Sequence, residues 1–241
     1  MSTTVEESIY NLVAQVDPDN PLDYVRNIVK PLAQCKLDNL ILTCDECEIC
    51  KNSVKTVTRG NPNAPIMIIG EAVSKEQQEA GQNTYPLYND SASDNLNKVL
   101  EYLNVDEDKL FFINSVNCFP QRNGTKRAST VAERRNCKTF LDYAIRTVDP
   151  ILIICLGAVA VNGINEEIGK QKITDIRGQF FTYRGVTVLP TFHPGYFNEI
   201  ADKVPEELVE EYFNQFCDDI TLAISELHSQ RPDLNIIKEA Q

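Results

Sequence analysis

The chain has 241 residues, 42% of them hydrophobic, and a formal net charge of −12. This length suits one large α/β domain with an extension, or two small domains, and the apolar content is sufficient for a packed core. No apolar run approaches the roughly 18 residues that a membrane-spanning helix needs. The acidic charge argues against a protein that coats nucleic acid without specificity. Since MSTTVEESIY lacks the features of a secretory signal, we expect a soluble, cytoplasmic protein.

The N-terminal part, residues 1–43, is predicted to form a helical extension. Apolar residues recur with helical spacing in VEESIYNLVAQV (5–16) and PLDYVRNIVKPLAQ (21–34), and DPDNP interrupts the pattern between them. We therefore expect two short helices packed on a main domain that spans residues 44–241.

From residue 65 onward, short apolar runs alternate with amphipathic stretches. The runs have the composition of strands buried on both faces and occupy residues 65–71, 110–116, 149–157 and 185–191. Helical periodicity is found at residues 93–105, 130–148, 158–169 and about 205–228. Thr130 and Glu133 have the spacing of a capping box. The alternation predicts an α/β fold with a central four-stranded, mostly parallel sheet sandwiched by helices.

A polar motif follows each predicted strand. The motifs are GEA (70–72), NSVNC (114–118), LGA (156–158) and TFHPG (191–195). Ligands of open parallel sheets bind beyond the carboxyl ends of the strands. The four motifs therefore predict a single active-site crevice.

Five of the eight cysteines have a spacing that suits a metal centre. Cys44, Cys47 and Cys50 form a C-x2-C-x2-C pattern, and Cys118 and Cys137 follow far downstream. Disulfides are not expected in a reducing cytoplasm. Four thiolates suit either Zn²⁺ or a [4Fe–4S] cluster, and spacing alone does not separate the two. The other cysteines lie in apolar stretches and are predicted to be core residues: Cys35, Cys155 and Cys217.

A short basic segment stands out in the acidic chain. Between Cys118 and Lys138 there is one acid, Glu133, and six basic residues: Arg122, Lys126, Arg127, Arg134, Arg135 and Lys138. Such a segment is either a solvated surface or a local contact for phosphates.

Taken together, these motifs resemble the iron–sulfur uracil-DNA glycosylases, family 4 of the uracil-DNA glycosylase superfamily. The resemblance covers residues 44–200 and rests on CDECEIC, RGNPNAP, IIGEA, INSVNCFPQRN, RRNC and TFHPGY, in that order. It implies the superfamily's α/β fold and hydrolysis of the N-glycosidic bond of uracil in DNA, the first step of base excision repair.

The resemblance also implies a structural [4Fe–4S] cluster, with zinc as the alternative metal. Its ligands would be Cys118 and Cys137 with either Cys44 and Cys47 or Cys47 and Cys50. The distance from the GNP turn favours Cys44 and Cys47. The cluster would hold the basic loop against the sheet, where it would meet the DNA backbone through Arg122, Lys126, Arg127, Arg134 and Arg135.

Residue roles in catalysis are likewise implied by the resemblance. His193 would stabilise charge on uracil O2, Asn114 would read the edge of the base, and Glu71 would orient or activate water. The remaining residues expected to contact the substrate are Gly70, Ala72 and a stacking aromatic, which is Tyr88 or Tyr85, with Tyr88 favoured. His228 is expected at the surface.

One motif departs from the family, which has GEAPG where this chain has GEAVS. Val73 lacks the fixed φ of proline, and Ser74 is expected to pay for a positive φ at the glycine position. Activity could therefore be altered, and the alternative function is a non-catalytic DNA-binding or replication scaffold. A zinc-stabilised nucleotide-binding protein is a third candidate. The expected partners are uracil-containing DNA and, through the N-terminal extension, a replication or repair protein. We expect a monomer without membrane contact, located at the nucleoid or, for a viral chain, in the host cytoplasm.

Overall fold

The computed structural model describes residues 20–81, 83 and 91–238. The predicted helix at residues 5–16 lies outside this part of the chain. Within the described ranges there are eight strands: β1 (Arg59–Gly60), β2 (Ile66–Ala72), β3 (Leu110–Val116), β4 (Gln121–Arg122), β5 (Thr125–Lys126), β6 (Leu152–Leu156), β7 (Phe181–Tyr183) and β8 (Val186–Thr191). Strands β4 and β5 form a separate hairpin, and the others form one sheet in the order β1-β3-β2-β6-β8-β7.

The four long strands of this sheet are the four predicted ones. β3 pairs with β2, β2 with β6 and β6 with β8, all in parallel. All residues of β3 and β6 are buried, as their continuous apolar sequences indicated. The prediction of a mostly parallel sheet is confirmed. The short edge strands β1 and β7, both antiparallel to their neighbours, were not predicted because two or three residues carry no readable period.

Helices cover both faces of the sheet. They are α1 (Pro21–Tyr24), α2 (Lys30–Thr43), α3 (Lys75–Ala80), α4 (Ser91–Tyr102), α5 (Val131–Val148), α6 (Gly157–Ile164), α7 (Ile173–Ile176), α8 (Tyr196–Ile200) and α9 (Glu206–Gln230). A π-helical turn at Val25–Val29 joins α1 to α2, and 3-10 turns occupy Glu48–Asn52, Glu107–Lys109 and Ile168–Lys170. None of the described helices has the combination of length and apolar character that a membrane span requires.

The predicted helices in the main domain correspond to α4, α5, α6 and α9. At the start of α5, the capping box forms as predicted: Glu133 N–H donates to Thr130 Oγ1 and Thr130 N–H to Glu133 Oε2. Helix α6 ends at Ile164, earlier than predicted, because the Asn165 side chain accepts the N–H groups of Glu167 and Ile168. These bonds begin a new turn and end the α6 pattern.

The sheet has a hydrophobic core on each face. Strand alternation places Phe112 in the core beneath α4 and α9, and Phe111 in the core beneath α2, α5 and α6. Helix α2 runs nine residues past the predicted end at residue 34 and buries Leu37 and Ile41 in the second core. This part of the N-terminal segment therefore packs on the main domain. The boundary at residue 43 stays a prediction.

The three cysteines predicted to be core residues differ in burial. Cys155 is fully buried in β6, and Cys217 is half-buried against the first core. Cys35 is exposed, so that prediction is wrong. On α2 the inward positions belong to Leu37 and Ile41, and Cys35 falls on the opposite side of the helix from them.

Candidate active site and cysteine cluster

A cavity of about 280 Å³ opens at the carboxyl ends of the parallel strands. The ends of all four strands contribute to its lining through Glu71, Asn114, Leu156 and His193. Ala72 also lines it, whereas Gly70 is buried within β2, paired in register with Asn114. The structure therefore brings the four predicted motifs to one site. Tyr85 and Tyr88 lie outside the described residues.

Other residues that line the cavity were not predicted from the sequence. They come from the first turn of α3, the first two turns of α4 and from α8, and include Gln77, Ser93, Leu96, Asn198 and Glu199. Asn95 of α4 also supports the site, since its Nδ2 donates to the Pro194 carbonyl at 3.0 Å. No local motif marks these positions, because only the packing of the helices on the sheet brings them to the cavity.

The backbone around His193 determines which ring nitrogen carries the proton. Gly195 N–H donates to His193 Nδ1 at 3.1 Å, so in the neutral ring the proton resides on Nε2. Gly157 of the LGA motif has φ of +85°, and a Cβ there would lie 3.0 Å from His193 Cβ. Glycine at this position allows the close approach of two strand ends. His193 is thus held in a defined tautomer.

The two other predicted catalytic residues present polar groups to the cavity. Asn114 is 3% exposed and lines the cavity. A buried amide of this kind is costly unless a ligand or water completes its bonds. Glu71 is partly exposed, and its charge interacts with that of the Arg134 guanidinium. Burial lowers the pKa of Arg134, and the carboxylates of Glu71 and Glu166 oppose that effect.

The GEAVS segment adopts an unstrained turn. Ser74 has φ of −78° and is the N-cap of α3, where it exchanges hydrogen bonds with Gln77 in a second capping box. The expectation that Ser74 would pay for a positive φ is therefore wrong. The Ser74 hydroxyl accepts from the Gln77 N–H in the first turn of α3, a bond that the family's glycine cannot make with a side chain. Val73 is buried and lines the cavity.

The basic residues fall into two groups. Arg122 and Lys126 are exposed on the β4–β5 hairpin, and Lys126 reaches the cavity. The others donate to acceptors within the chain. Arg127 donates to both oxygens of Glu133, at 2.9 and 2.5 Å, and Arg135 donates to both oxygens of Glu166, at 2.6 and 2.7 Å. Arg134 donates to Asn162 and Ser129, and Lys138 donates to carbonyls of α6. The bond from Arg127 lowers the pKa of Glu133.

The five predicted metal-site cysteines come together beside the cavity. With Ile49 and Val116 they form a small apolar cluster, whose cysteines are Cys44, Cys47, Cys50, Cys118 and Cys137. The Sγ atoms of Cys50 and Cys118 are 3.3 Å apart, and Asn136 Nδ2 donates to Cys47 Sγ at 3.2 Å. Burial raises the pKa of Cys137 to about 12 and also raises that of Cys118. Thiolates form here only if a cation offsets the burial.

The five clustered thiols are the candidate donors for a metal group. No three His, Cys, Asp or Glu side chains in the described ranges are arranged to hold one metal ion. A tetrahedral zinc site would require four donors around one point. In a [4Fe–4S] cluster each thiolate binds a different iron, so the sulfurs need only surround a larger group.

Comparison with known proteins identifies the superfamily of the chain. The model of the uracil DNA glycosylase superfamily matches residues 57–220. A type-4 uracil-DNA glycosylase of Thermotoga maritima is 29% identical over 68% of this chain and 85% of its own length. A type-4 enzyme of Archaeoglobus fulgidus is 24% identical over 73% of this chain and 86% of its own. A type-5 uracil-DNA glycosylase of Pyrobaculum aerophilum is 24% identical over 66% of this chain and 74% of its own length. The predicted resemblance is confirmed, and the chain belongs to the uracil-DNA glycosylase superfamily.

Proposed function

We propose that this protein is a type-4 uracil-DNA glycosylase that hydrolyses the N-glycosidic bond of uracil in DNA. One observation carries the proposal: Glu71, Asn114 and His193 line one cavity at the carboxyl ends of the parallel strands. Its volume of about 280 Å³ lies just below the roughly 300–1,000 Å³ of pockets for larger ligands. A single pyrimidine ring, flipped out of the DNA stack, suits a site of this size.

Recognition of the base is assigned to Asn114. A carboxamide offers one acceptor oxygen and two donor hydrogens, so it accepts from uracil N3–H and donates to O4. Cytosine reverses this pattern, because its ring N3 is an acceptor and its exocyclic amine a donor. The deep burial of Asn114 makes a mismatched base leave buried polar atoms unpaired, which strengthens discrimination.

Stabilisation of the leaving base is assigned to His193. As the glycosidic bond breaks, negative charge develops on the uracil ring, including O2. The bond from Gly195 to Nδ1 leaves Nε2–H as the donor, and a preplaced donor to such an oxygen is most effective where water is excluded. Glu71 would orient the attacking water or stabilise positive charge on the sugar. Arg134, whose guanidinium charge interacts with that of Glu71, would help to keep this carboxylate in place at the cavity.

The cysteine cluster would bind a [4Fe–4S] group through Cys118, Cys137, Cys44 and Cys47. Its chemistry there would be structural, cross-linking the segment at residues 44–50 to β3 and α5. The β4–β5 hairpin follows Cys118 directly, so the same cross-link would support Arg122 and Lys126 as phosphate contacts. A replication or repair protein at the N-terminal segment is a further part of this proposal.

A single-turnover assay tests the function. Anaerobically purified protein is mixed with a labelled oligonucleotide that contains one uracil, and abasic sites are cleaved with alkali. Excision that depends on uracil and is strongly slowed in Asn114→Asp and His193→Ala supports the assignment. A protein that binds the oligonucleotide but leaves uracil in place would instead be a scaffold.

A further inference from the structure

A buried ion pair lies behind the loop that carries His193. Asp219 of α9 is 2% exposed, and its carboxylate accepts two hydrogen bonds from Arg177, at 2.9 Å from Nε and 2.6 Å from Nη2. The same carboxylate accepts from Thr191 Oγ1 at 2.7 Å. Thr191 is fully buried and is the last residue of β8, two positions before His193.

Arg177 contacts the same loop in a second way. Its guanidinium lies over the Phe192 ring, 5.4 Å from the centroid, while Nη2 also donates to the Gln215 carbonyl at 2.7 Å. The next residue, Gly178, donates its N–H to the Pro190 carbonyl at 3.0 Å. Residues 190, 191 and 192 are therefore each held by the Arg177–Asp219 pair or by its neighbour in the chain.

A glycine at position 178 makes this arrangement possible. Gly178 has φ of +70°, and a Cβ there would lie 2.9 Å from Asp219 Oδ1. The backbone thus approaches the carboxylate more closely than any side chain would allow. A buried ion pair seldom adds stability over apolar packing, but its bonds are directional and select one arrangement of the groups that it joins.

From these contacts we propose that Asp219 is a positioning residue for His193, acting through Thr191 and Arg177. The carboxylate holds the hydroxyl of Thr191, and Arg177 holds the Phe192 ring. Together these contacts fix the backbone of the two residues before His193 and therefore the direction in which Nε2–H points. The catalytic consequence rests on the proposed function, whereas the orientation of the imidazole does not.

The test removes one hydrogen bond and has a matched control elsewhere in the chain. Thr191→Val deletes the hydroxyl and preserves the β-branched shape. Thr58, 4% exposed, donates to Asp38 Oδ1 at the same 2.7 Å distance and is not among the residues that line the cavity, so Thr58→Val is the control. Thr191→Ser restores the hydroxyl and serves as the rescue.

Two readouts separate positioning from stability. We expect Thr191→Val to lower the rate of uracil excision by about 10- to 100-fold at saturating DNA, because small displacements of catalytic groups are costly. DNA affinity should be unchanged, and Thr191→Ser should recover most of the rate. In ¹⁵N NMR, the chain has two histidines, and His228→Gln assigns the signal of His193. The wild-type ring should show the Nε2–H tautomer, and Thr191→Val should shift or broaden that signal.

Thr58→Val should lose comparable stability with no change in rate or in the His193 spectrum. Equal behaviour of the two valine variants, with rate and spectrum preserved in both, would overturn the proposal. If wild-type protein excises no uracil, the proposed function fails, and the NMR comparison still decides whether Thr191 orients His193. Should Thr191→Val fail to fold, Thr191→Ala against Thr191→Ser makes the same comparison.

Discussion

The cavity and the cysteine cluster both adjoin the carboxyl end of β3, yet the structure holds them in different ways. Asn114 lies within β3, and His193 follows β8 with its ring bonded to Gly195 and its loop bonded to Asp219 through Thr191. The cluster thiols lie on a 3-10 turn, a loop and the first part of α5. The cavity is thus ordered by strands and polar bonds, whereas the cysteines are joined by apolar packing and sulfur contacts.

This difference has an electrostatic consequence. Asn114 and His193 lie in or directly after paired strands, and the His193 ring accepts a backbone hydrogen bond, so these groups are in place before substrate arrives. The thiols of Cys118 and Cys137 have pKa values raised by burial, and only a bound cation would convert them to thiolates. The cavity is thus intrinsic to the fold, whereas the order of the cysteine region would depend on the proposed [4Fe–4S] cluster.

The largest expected effect is at the cysteine region. Cys118→Ser should lower the iron content from about four per chain towards zero and destabilise the domain, since metal binding contributes to folding. Iron analysis and thermal unfolding under anaerobic conditions measure both. Cys35 is exposed and lies outside the five clustered cysteines, so Cys35→Ser is the control and should match wild type in iron content and stability. Stoichiometric zinc without iron in protein from iron-replete cells would exclude the cluster.

The same assay chooses between the candidate ligands. If Cys44 and Cys47 are the ligands, Cys44→Ser should lose iron and Cys50→Ser should keep it. The reverse result would identify Cys50 as a ligand in place of Cys44. The Sγ atom of Cys50 lies 3.3 Å from that of Cys118.

The second-largest effect is expected at His193 in the cavity. In contrast to the cysteines, a preorganised catalytic group should affect the rate of excision without affecting stability. His193→Ala should slow excision by about 10²–10³-fold, or ~3–4 kcal/mol, with little change in melting temperature or in binding to uracil-free DNA. His228→Ala, at the exposed end of α9, should behave as wild type. An alanine variant at 193 that is unstable but equally fast would show that the histidine is structural.

A smaller effect is expected for the basic residues. Replacing both Arg122 and Lys126 with alanine should reduce the salt dependence of DNA binding by roughly one to two units of slope, since neither has an ion-pair partner in the described chain. Arg135→Ala should change the slope less, because Glu166 already neutralises this guanidinium. Titrations of binding at several salt concentrations compare the two. A larger effect at Arg135 would place the DNA along α5.

The smallest effect concerns Glu133 and Arg127 and depends on pH. Glu133→Gln removes the charge pair but retains a side chain that completes a capping box, so the free energy of unfolding should fall by roughly 1–2 kcal/mol at neutral pH. The bond from Arg127 lowers the pKa of Glu133 below 4.5, so the contribution is present above that value. It is lost as the pH falls through the lower, folded-state pKa. Denaturant unfolding across this range should show the two proteins converge in acid. A constant difference would mean that the pair contributes no titrating stability.

Much of the fold and the site followed from local pattern. The four parallel strands were predictable because burial on both faces demands continuous apolar runs, and the capping box at Thr130 because its bonds join residues three apart. The convergence of Glu71, Asn114 and His193 followed from topology, since the carboxyl ends of parallel strands meet at one edge of the sheet.

Other features depended on contacts between distant parts of the chain. The partners of Arg135 and Arg177 lie 31 and 42 residues away, and no spacing rule connects such pairs. The exposure of Cys35 depended on which side of α2 packed against the sheet. The turn at Ser74 depended on an N-cap hydrogen bond, which forms with a negative φ where the family's glycine would allow a positive one. Local sequence determines periodicity and capping because those interactions span a few residues. Charge pairing and the orientation of His193 arise only when packing brings separate elements within hydrogen-bonding distance.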